Sequence, residues 1–125
     1  MANFYTYEMI EYQKSTQGDI NMEIRSECVS GTTLAFIKGE IDHHNAKEAR
    51  SALDGIIERD RPITFKLELS GVSFCDSSGL GLVMGRMRKC QSVGSNMVVR
   101  NPSPAAMRIL EIAGMDKIIK IEREN

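Results

Sequence analysis

Apolar residues alternate with polar ones, or form short runs, in five segments of the chain, and each such segment predicts a β-strand. The alternation is clearest over 20–25 and 63–69, where we expect one face of the strand to be covered. The turn Ser30-Gly31-Thr32 joins the first two strands as a hairpin. The predicted strands are residues 20–25, 33–39, 63–69, 97–99 and 118–121.

Three longer segments repeat their apolar residues every three or four positions, which is the spacing of an amphipathic helix. At the start of the first helix, Asn45 and Glu48 resemble a capping box. Ser103 and Pro104 begin the third helix as its N-cap and first helical residue, and Gly114 is placed to end it. The predicted helices are residues 45–59, 78–91 and 104–113.

The predicted order of elements is β-β-α-β-α-β-α-β, and each helix needs a sheet face on which to bury its apolar stripe. The fold class is therefore α/β, with one mixed sheet of four to five strands and helices packed on it. Residues 1–18 differ from the rest, because they hold four of the seven aromatic residues. We treat them as an N-terminal extension to a domain of residues 19–125. An added strand or helix, an arm for a partner and a frayed tail all remain open for this extension.

The composition is that of an ordinary globular protein. A length of 125 residues suits one domain, and 42% hydrophobic with 26% charged residues argues against disorder. The net charge is -1 and the cations are interspersed with anions, which argues against nucleic acid as a partner. No segment approaches the roughly 20 apolar residues that a membrane span requires. The first residues also lack the basic start and apolar block of a secretion signal.

The cysteines favour a reducing compartment. Cys28, Cys75 and Cys90 form an odd set without a closely spaced pair, so neither a disulfide framework nor a thiolate metal site is expected. We therefore expect a cytoplasmic protein. The glycines of residues 79–85 miss a dinucleotide-binding spacing by one position, and no phosphate-binding loop motif is present, so no cofactor is predicted.

The most unusual segment is 76–81, with the sequence DSSGLG, where a strand turns into the second helix. Serine and aspartate oxygens suit this place, because the first N–H groups of a helix lack partners inside it. The glycines at 79, 81 and 85 are harder to explain, since an interior glycine costs about 1 kcal/mol relative to alanine. Something must approach this helix start closely, either the sheet beneath it or a partner outside, and close packing explains the glycines best.

The segment 74–81, with the sequence FCDSSGLG, resembles the signature of STAS domains, and specifically that of bacterial anti-sigma factor antagonists. Two further segments match, GEIDHH at 39–44 and NPSP at 101–104. The resemblance runs from about residue 20 to residue 121 and implies the STAS fold. The paired histidines point to the sporulation members of the family.

This resemblance implies a phosphorylation switch at Ser77. In the family, the first serine after the aspartate is phosphorylated by a partner that is both an anti-sigma factor and a serine kinase. The unmodified form binds that partner and frees the sigma factor, and a sporulation-type protein phosphatase reverses the modification. The chain would be a substrate in both reactions and an enzyme in neither. Phosphate adds about -1.5 to -2 charge next to Asp76, which would disrupt a closely packed interface.

Several neighbours of Ser77 are predicted to contact the partner by the same resemblance. Ser78 is also assigned the N-cap of the second helix. The predicted contact residues are Asp42, His43, His44, Asp76, Ser78, Gly79, Leu80 and Gly81.

Other functions remain open. Asp42, His43 and His44 also read as a polar turn or as metal ligands, but a metal site needs three or four convergent donors and the chain has two histidines. A STAS module that senses ligands or acts as a scaffold in another signalling system would not need Ser77 to be modified. A small hydrolase using Ser77 ranks last, because the Gly-x-Ser-x-Gly elbow is missing.

The match departs from the family at the C-terminus. Antagonists of this family usually end in an amphipathic helix after the last strand, whereas this chain has only residues 122–125 beyond its last predicted strand. A sheet face or edge would then be less covered. We hypothesise that residues 1–18 cover it instead.

Overall fold

Six strands form one sheet in this computed structural model, which describes the backbone of residues 8–16 and 19–124 and the side chains of residues 22–124. The elements, in chain order, are β1 Glu8–Thr16, β2 Asp19–Val29, β3 Thr32–Ile41, α1 Ala46–Asp60, β4 Thr64–Cys75, α2 Ser77–Val93, β5 Asn96–Arg100, α3 Pro104–Ile112, a 3₁₀ turn Met115–Lys117, and β6 Lys120–Glu122.

The strands lie side by side in the order in which they occur along the chain. The first three pair antiparallel, and β3 to β6 pair parallel, so the sheet is mixed. Each parallel crossover steps one strand in the same direction, and right-handed crossovers then place all three helices on one face. Consistent with this, α2 contacts both α1 and α3. No helix in the described ranges is long and apolar enough to cross a bilayer.

The predicted fold class and element order are confirmed, and β1 adds a sixth strand within the segment that the sequence left open. β1 pairs with the outer edge of β2, at the opposite end of the sheet from β6. Residues 1–7 and 17–18 lie outside the described part of the chain. That the extension takes the place of a C-terminal helix stays a prediction.

The β2–β3 hairpin turns as its sequence predicts. Ser30 and Gly31 both have positive φ angles, 50° and 84°, which makes a two-residue type I′ turn. Val29 pairs with Thr32 directly across it. This turn fixes the register of the hairpin, so Met22 and Ile24 face the helices and are almost fully buried.

Two irregularities in β4 decide which of its later residues are buried. Relative to β3, β4 carries one extra residue before Gly71 and another before Phe74. Each extra residue reverses the alternation of faces. Val72 is therefore buried with the core, whereas Phe74 turns to solvent and Cys75 turns back toward the helices. The alternation seen over 63–69 does not reveal this, and β4 runs six residues beyond its predicted end.

The helix caps were only partly predicted. Ser103 Oγ accepts a hydrogen bond from Ala106 N at 3.2 Å, and Gly114 has a φ of 74° just after α3, so both predictions are confirmed. The prediction of a capping box at Asn45 is wrong. Asn45 occupies the N-cap position of α1, but its side chain bonds the loop before the helix, accepting from Asp42 N and donating to Glu40 O.

The sheet face opposite the helices carries charged side chains that pair with one another. Lys66 Nζ lies 3.0 Å from Glu122 Oε2, and Arg100 Nη1 lies 3.4 Å from Glu68 Oε1. The hydrogen bond from Lys66 is the main reason why the pKa of Glu122 is lowered. These cross-strand pairs keep this face polar without a covering layer.

Ion pairs join α1 to α2 along their shared seam. Arg86 on α2 is only 4% exposed, and its Nε lies 2.8 Å from Asp54 Oδ1 on α1. These two atoms are close but not aligned as a hydrogen bond, whereas Arg86 Nη2 donates a hydrogen bond to Asp54 Oδ2 at 3.4 Å. One turn further along, Lys89 Nζ lies 2.7 Å from Glu58 Oε2. Burial lowers the pKa of Arg86, and the charge of Asp54 opposes that shift.

We predict that Asp54→Asn destabilises the protein by about 1–3 kcal/mol, because it leaves the buried Arg86 guanidinium without its counter-ion. The value stays below that of a fully buried pair, since the Asp54 side chain is 35% exposed. Urea denaturation at neutral pH measures the change. Glu111→Gln on exposed α3 surface is the matched control and should leave the free energy of unfolding within about 0.5 kcal/mol of wild type. Equal stability of both variants would contradict a role for the pair.

Candidate functional site

The ends of β3 and β4 meet at one edge of the sheet and bring two turns of the chain together. Asp76 N donates a hydrogen bond to Ile41 O at 3.1 Å, immediately after the two strands end. The loop that follows β3 and the first turn of α2 therefore lie side by side. His43 Nδ1 in that loop is 3.9 Å from Asp76 Oδ2 at the helix start.

Ser77 is the first residue of α2, and its side chain is exposed. Among the described residues, its hydroxyl has no hydrogen-bond partner. The N-cap is Asp76, whose Oδ1 accepts from Ser78 N at 2.7 Å. The prediction that Ser78 caps α2 is therefore wrong. The aspartate has the longer side chain and the extended backbone of an N-cap, and it leaves both serines inside the helix.

Gly79 allows α2 to approach the end of β4. A Cβ at this position would lie 2.2 Å from Cys75 Sγ and 3.6 Å from Ile41. The sheet beneath, one of the two alternatives that the sequence left open, is thus what approaches Gly79. Close packing does not explain the other two glycines, because a Cβ at Gly81 or Gly85 would meet nothing within 4 Å.

The loop before α1 is organised by Asp42. Its Oδ1 accepts hydrogen bonds from His44 N at 2.9 Å and from Asn45 N at 3.1 Å, so the carboxylate holds the turn. His43 and His44 are left outside, with side chains 73% and 74% exposed and ring centroids 3.9 Å apart. Across the described side chains, no group of three potential metal ligands comes together.

The remaining predicted contact residues differ in what they present to solvent. Gly81 is exposed, and Ser78 is half-buried. Leu80 packs in part against the core, and Gly79 is buried. Gly79 thus has little surface to offer a partner, and its role at the site is to permit packing.

Phe74 is exposed and close to Ser77 along the chain, but it is missing from the residues predicted to contact a partner. It is 48% exposed, two residues before the Asp76 cap. A large exposed aromatic side chain beside a polar site is typical of a protein interface. Its position in the 74–81 segment was the one feature of the sequence that could have pointed to a contact role. The irregularity in β4 that turns its side chain outward is not visible in the sequence.

Half-buried Cys75 next to the site and buried Cys90 near the end of α2 both carry protonated thiols at neutral pH. Burial raises the pKa of Cys75 to about 11, and the neighbouring Asp76 charge contributes to the shift. Burial likewise raises the pKa of Cys90 to about 11. A neutral thiol is a weak nucleophile. The role of Cys75 at this site is therefore packing, since its Sγ occupies the space next to Gly79.

The sequence profile of the STAS domain matches residues 20–124. This chain belongs to the STAS domain family. The match begins after β1, so that strand lies outside the shared region.

Relatives in this family carry regulatory names. An anti-sigma F factor antagonist from Paenibacillus polymyxa is 33% identical over 102 residues, which cover 82% of this chain and 87% of the relative. An anti-sigma-B factor antagonist from Listeria monocytogenes is 30% identical over 104 residues, which cover 83% of this chain and 90% of the relative.

Solved structures agree with this assignment. The unphosphorylated form of the anti-sigma factor antagonist SpoIIAA matches with a TM-score of 0.69 at 29% identity, covering 82% of this chain and 88% of SpoIIAA. The phosphorylated form, from Bacillus, matches with a TM-score of 0.64 at 29% identity, covering 82% of this chain and 91% of SpoIIAA. The fold described above is therefore similar to SpoIIAA in both of its phosphorylation states.

Two glycine substitutions test the packing at Gly79. We predict that Gly79→Ala destabilises the STAS domain by about 1–3 kcal/mol, because the new methyl group overlaps Cys75 Sγ. Gly85→Ala is the matched control and should stabilise by up to about 1 kcal/mol, since its Cβ enters open space on the same helix. Urea denaturation measures both changes. Combining Gly79→Ala with Cys75→Ala should recover part of the loss, and strictly additive effects would argue against the overlap.

The buried thiols predict a loss of stability at alkaline pH. Each thiol has a pKa near 9.0 when unfolded and about 11 when folded, so the folded state holds its proton longer. Their contribution is complete below pH 9.0 and is lost as the pH rises toward about 11. Denaturation midpoints measured across this interval should fall less for the Cys75→Ala, Cys90→Ala double variant than for wild type. Parallel curves would show that the thiols do not carry the effect.

Proposed function

We propose that this chain is an anti-sigma factor antagonist switched by phosphorylation of Ser77. In its unphosphorylated form it binds an anti-sigma factor and frees the sigma factor, and the phosphorylated form no longer binds. One observation carries the proposal: the Ser77 hydroxyl is exposed at the head of α2 and has no hydrogen-bond partner among the described side chains, within the segment that resembles the antagonist signature.

The local chemistry suits a switch that changes a surface without refolding the domain. A phosphoryl group on Ser77 adds about -1.5 to -2 charge, and it would stand beside the first N–H groups of α2, which tolerate an anion. Asp76, which caps the same helix, already carries a negative charge there. The combined charge would repel acidic partner groups and would be costly to desolvate in an interface. Similarity to SpoIIAA in both states supports a fold that survives the modification.

Ser77 is the better acceptor of the two serines. Ser78 is half-buried, and its backbone N–H is already engaged by the Asp76 carboxylate. Ser77 has the greater exposure that a kinase requires to reach a hydroxyl. The surface we assign to the partner comprises Ser77, His43, His44, Phe74 and Gly81, with Asp42 and Asp76 holding the loop and the helix start in place.

The proposed partners act on this chain, and the chain catalyses neither reaction. The anti-sigma factor would itself be the serine kinase, and a sporulation-type phosphatase would remove the phosphate, all within the cytoplasm. A hydrolase using Ser77 finds no support, because no described side chain lies within hydrogen-bond distance of its hydroxyl to act as a base. His43 lies near Asp76 at 3.9 Å, which is too long for a hydrogen bond.

Phosphate transfer tests the switch directly. Incubation with ATP and the anti-sigma F factor of Paenibacillus polymyxa should add one phosphate to the wild-type chain, located at Ser77 by peptide mass spectrometry. Ser77→Ala should take up none. Phosphate on Ser78 alone, or none on the wild-type chain, would contradict the proposal and favour a STAS module that senses ligands or acts as a scaffold.

Capture of the same anti-sigma factor tests the consequence of the charge. We predict that Ser77→Asp weakens the affinity by at least about tenfold, roughly 1.4 kcal/mol, because it places a carboxylate in the interface. Ser77→Ala should bind within about twofold of wild type. Surface plasmon resonance with the immobilised anti-sigma factor measures both. Equal affinities of the two variants would count against a switch based on charge.

A further inference from the structure

A groove of about 370 Å³ lies between the first turns of α1 and α2, next to the Ser77 surface. It shares Gly81 with that surface. The residues lining it are Ala46, Lys47, Arg50, Ser78, Gly81 and Leu82.

The groove contains two cations that have no counter-ion among the described side chains. Lys47 and Arg50 are both exposed. Neither forms a hydrogen bond or an ion pair with any residue whose side chain the structure describes. The α2 side of the groove offers no carboxylate, because the first turn of α2 has no acidic residue. The Asp76 cap is already engaged with Ser78 N.

The charges at this end of the α1–α2 seam differ from those along the rest of it. Further along, an acid on α1 faces a base on α2, as Asp54 faces Arg86 at 2.8 Å and Glu58 faces Lys89 at 2.7 Å. At the open end, α1 presents two bases, and α2 presents the uncharged residues Ser78, Gly81 and Leu82. The charge of Arg50 also reaches Arg86, whose pKa is lowered mainly by burial and additionally by Arg50. An anion in the groove would relieve this repulsion.

Gly81 leaves room for such an anion. A Cβ at this position would meet nothing within 4 Å, so a side chain from outside can approach the helix backbone. An interior glycine costs about 1 kcal/mol relative to alanine, and no described atom lies close enough to a Cβ at Gly81 to require one here. The opening lies where an external group would reach Lys47 and Arg50.

We propose that this groove receives a carboxylate side chain, aspartate or glutamate, of the anti-sigma factor; this inference rests on the proposed function. Unpaired cations on one partner are complementary to an acidic group on the other. Ser77 and Gly81 are one turn apart on the same helix face, about 5–6 Å between their β-carbon positions. A phosphoryl group on Ser77 would stand at the mouth of the groove and compete with the carboxylate for the same cations. The switch then acts through displacement of a specific ion pair as well as through general repulsion.

Charge reversal in the groove tests the inference. Arg50→Glu and Lys47→Glu should each weaken capture of the Paenibacillus polymyxa anti-sigma F factor by at least about tenfold. Thermal stability should stay close to wild type, because both side chains are exposed and pair with no described residue. Lys117→Glu is the matched control, since Lys117 is exposed in the 3₁₀ turn at the opposite end of the sheet. It should bind within about twofold of wild type.

A second type of variant supplies a carboxylate to the groove from this chain instead of from the partner. Gly81→Glu should raise the thermal stability, because the new carboxylate pairs with Arg50 and the glycine is removed, and it should abolish capture by filling the groove. Raised stability with full capture would overturn the proposal.

The outcomes separate the groove from the proposed function. Capture of the anti-sigma factor by wild type, Arg50→Glu and Lys47→Glu alike would overturn the groove inference and leave the switch at Ser77 standing. Failure of wild type to bind, with no phosphate transferred to Ser77, would overturn both. Self-association of the wild-type chain that Arg50→Glu abolishes in sedimentation experiments would identify a second copy as the occupant and would also overturn the inference.

Discussion

The close approach of α2 to the end of β4 is the contact on which the site depends. Cys75 Sγ fills the space that a side chain at Gly79 would take, and Asp76 N is bonded to Ile41 O across the two strand ends. Together these contacts fix the point at which the chain leaves the sheet and the helix begins. Asp76 becomes the cap, and Ser77 is left as the first helical residue with its hydroxyl in solvent. A larger residue at position 79 would lift the helix and move that hydroxyl.

The neighbouring strands and helices determine which residues surround this junction between β4 and α2. Parallel pairing of β3 with β4 ends both strands at the same edge, so the loop carrying His43 lies beside Asp76. The ion pair between buried Arg86 and half-buried Asp54 ties α1 to α2. The groove between their first turns is a consequence of the spacing of these helices and of the missing side chain at Gly81. The electrostatic character of the surface thus depends on packing below it.

Much of the fold followed from the sequence because its signals are local. The β2–β3 turn needs two residues that tolerate positive φ, and the third helix has Ser103 and Gly114 at its ends, so short-range rules were sufficient for these elements. The cap predictions failed where more than one hydrogen-bonding arrangement was possible locally. Asn45 bonds the preceding loop instead of its own helix, and Asp76 caps the helix where Ser78 was expected. Both outcomes depend on how the loop and the strand end meet, which no local pattern records.

By itself, the sequence determined the fold class, the order of the elements and the presence of a serine in a segment that resembles a family signature, because each depends on neighbouring residues or on a contiguous motif. The tertiary structure decided which side chains surround that serine. Phe74 is exposed because β4 carries extra residues relative to β3, and Lys47 and Arg50 face Gly81 because two helices pack side by side. The physical reason is that register and helix packing are set by contacts between residues distant in the chain, so the surface they create has no contiguous signature.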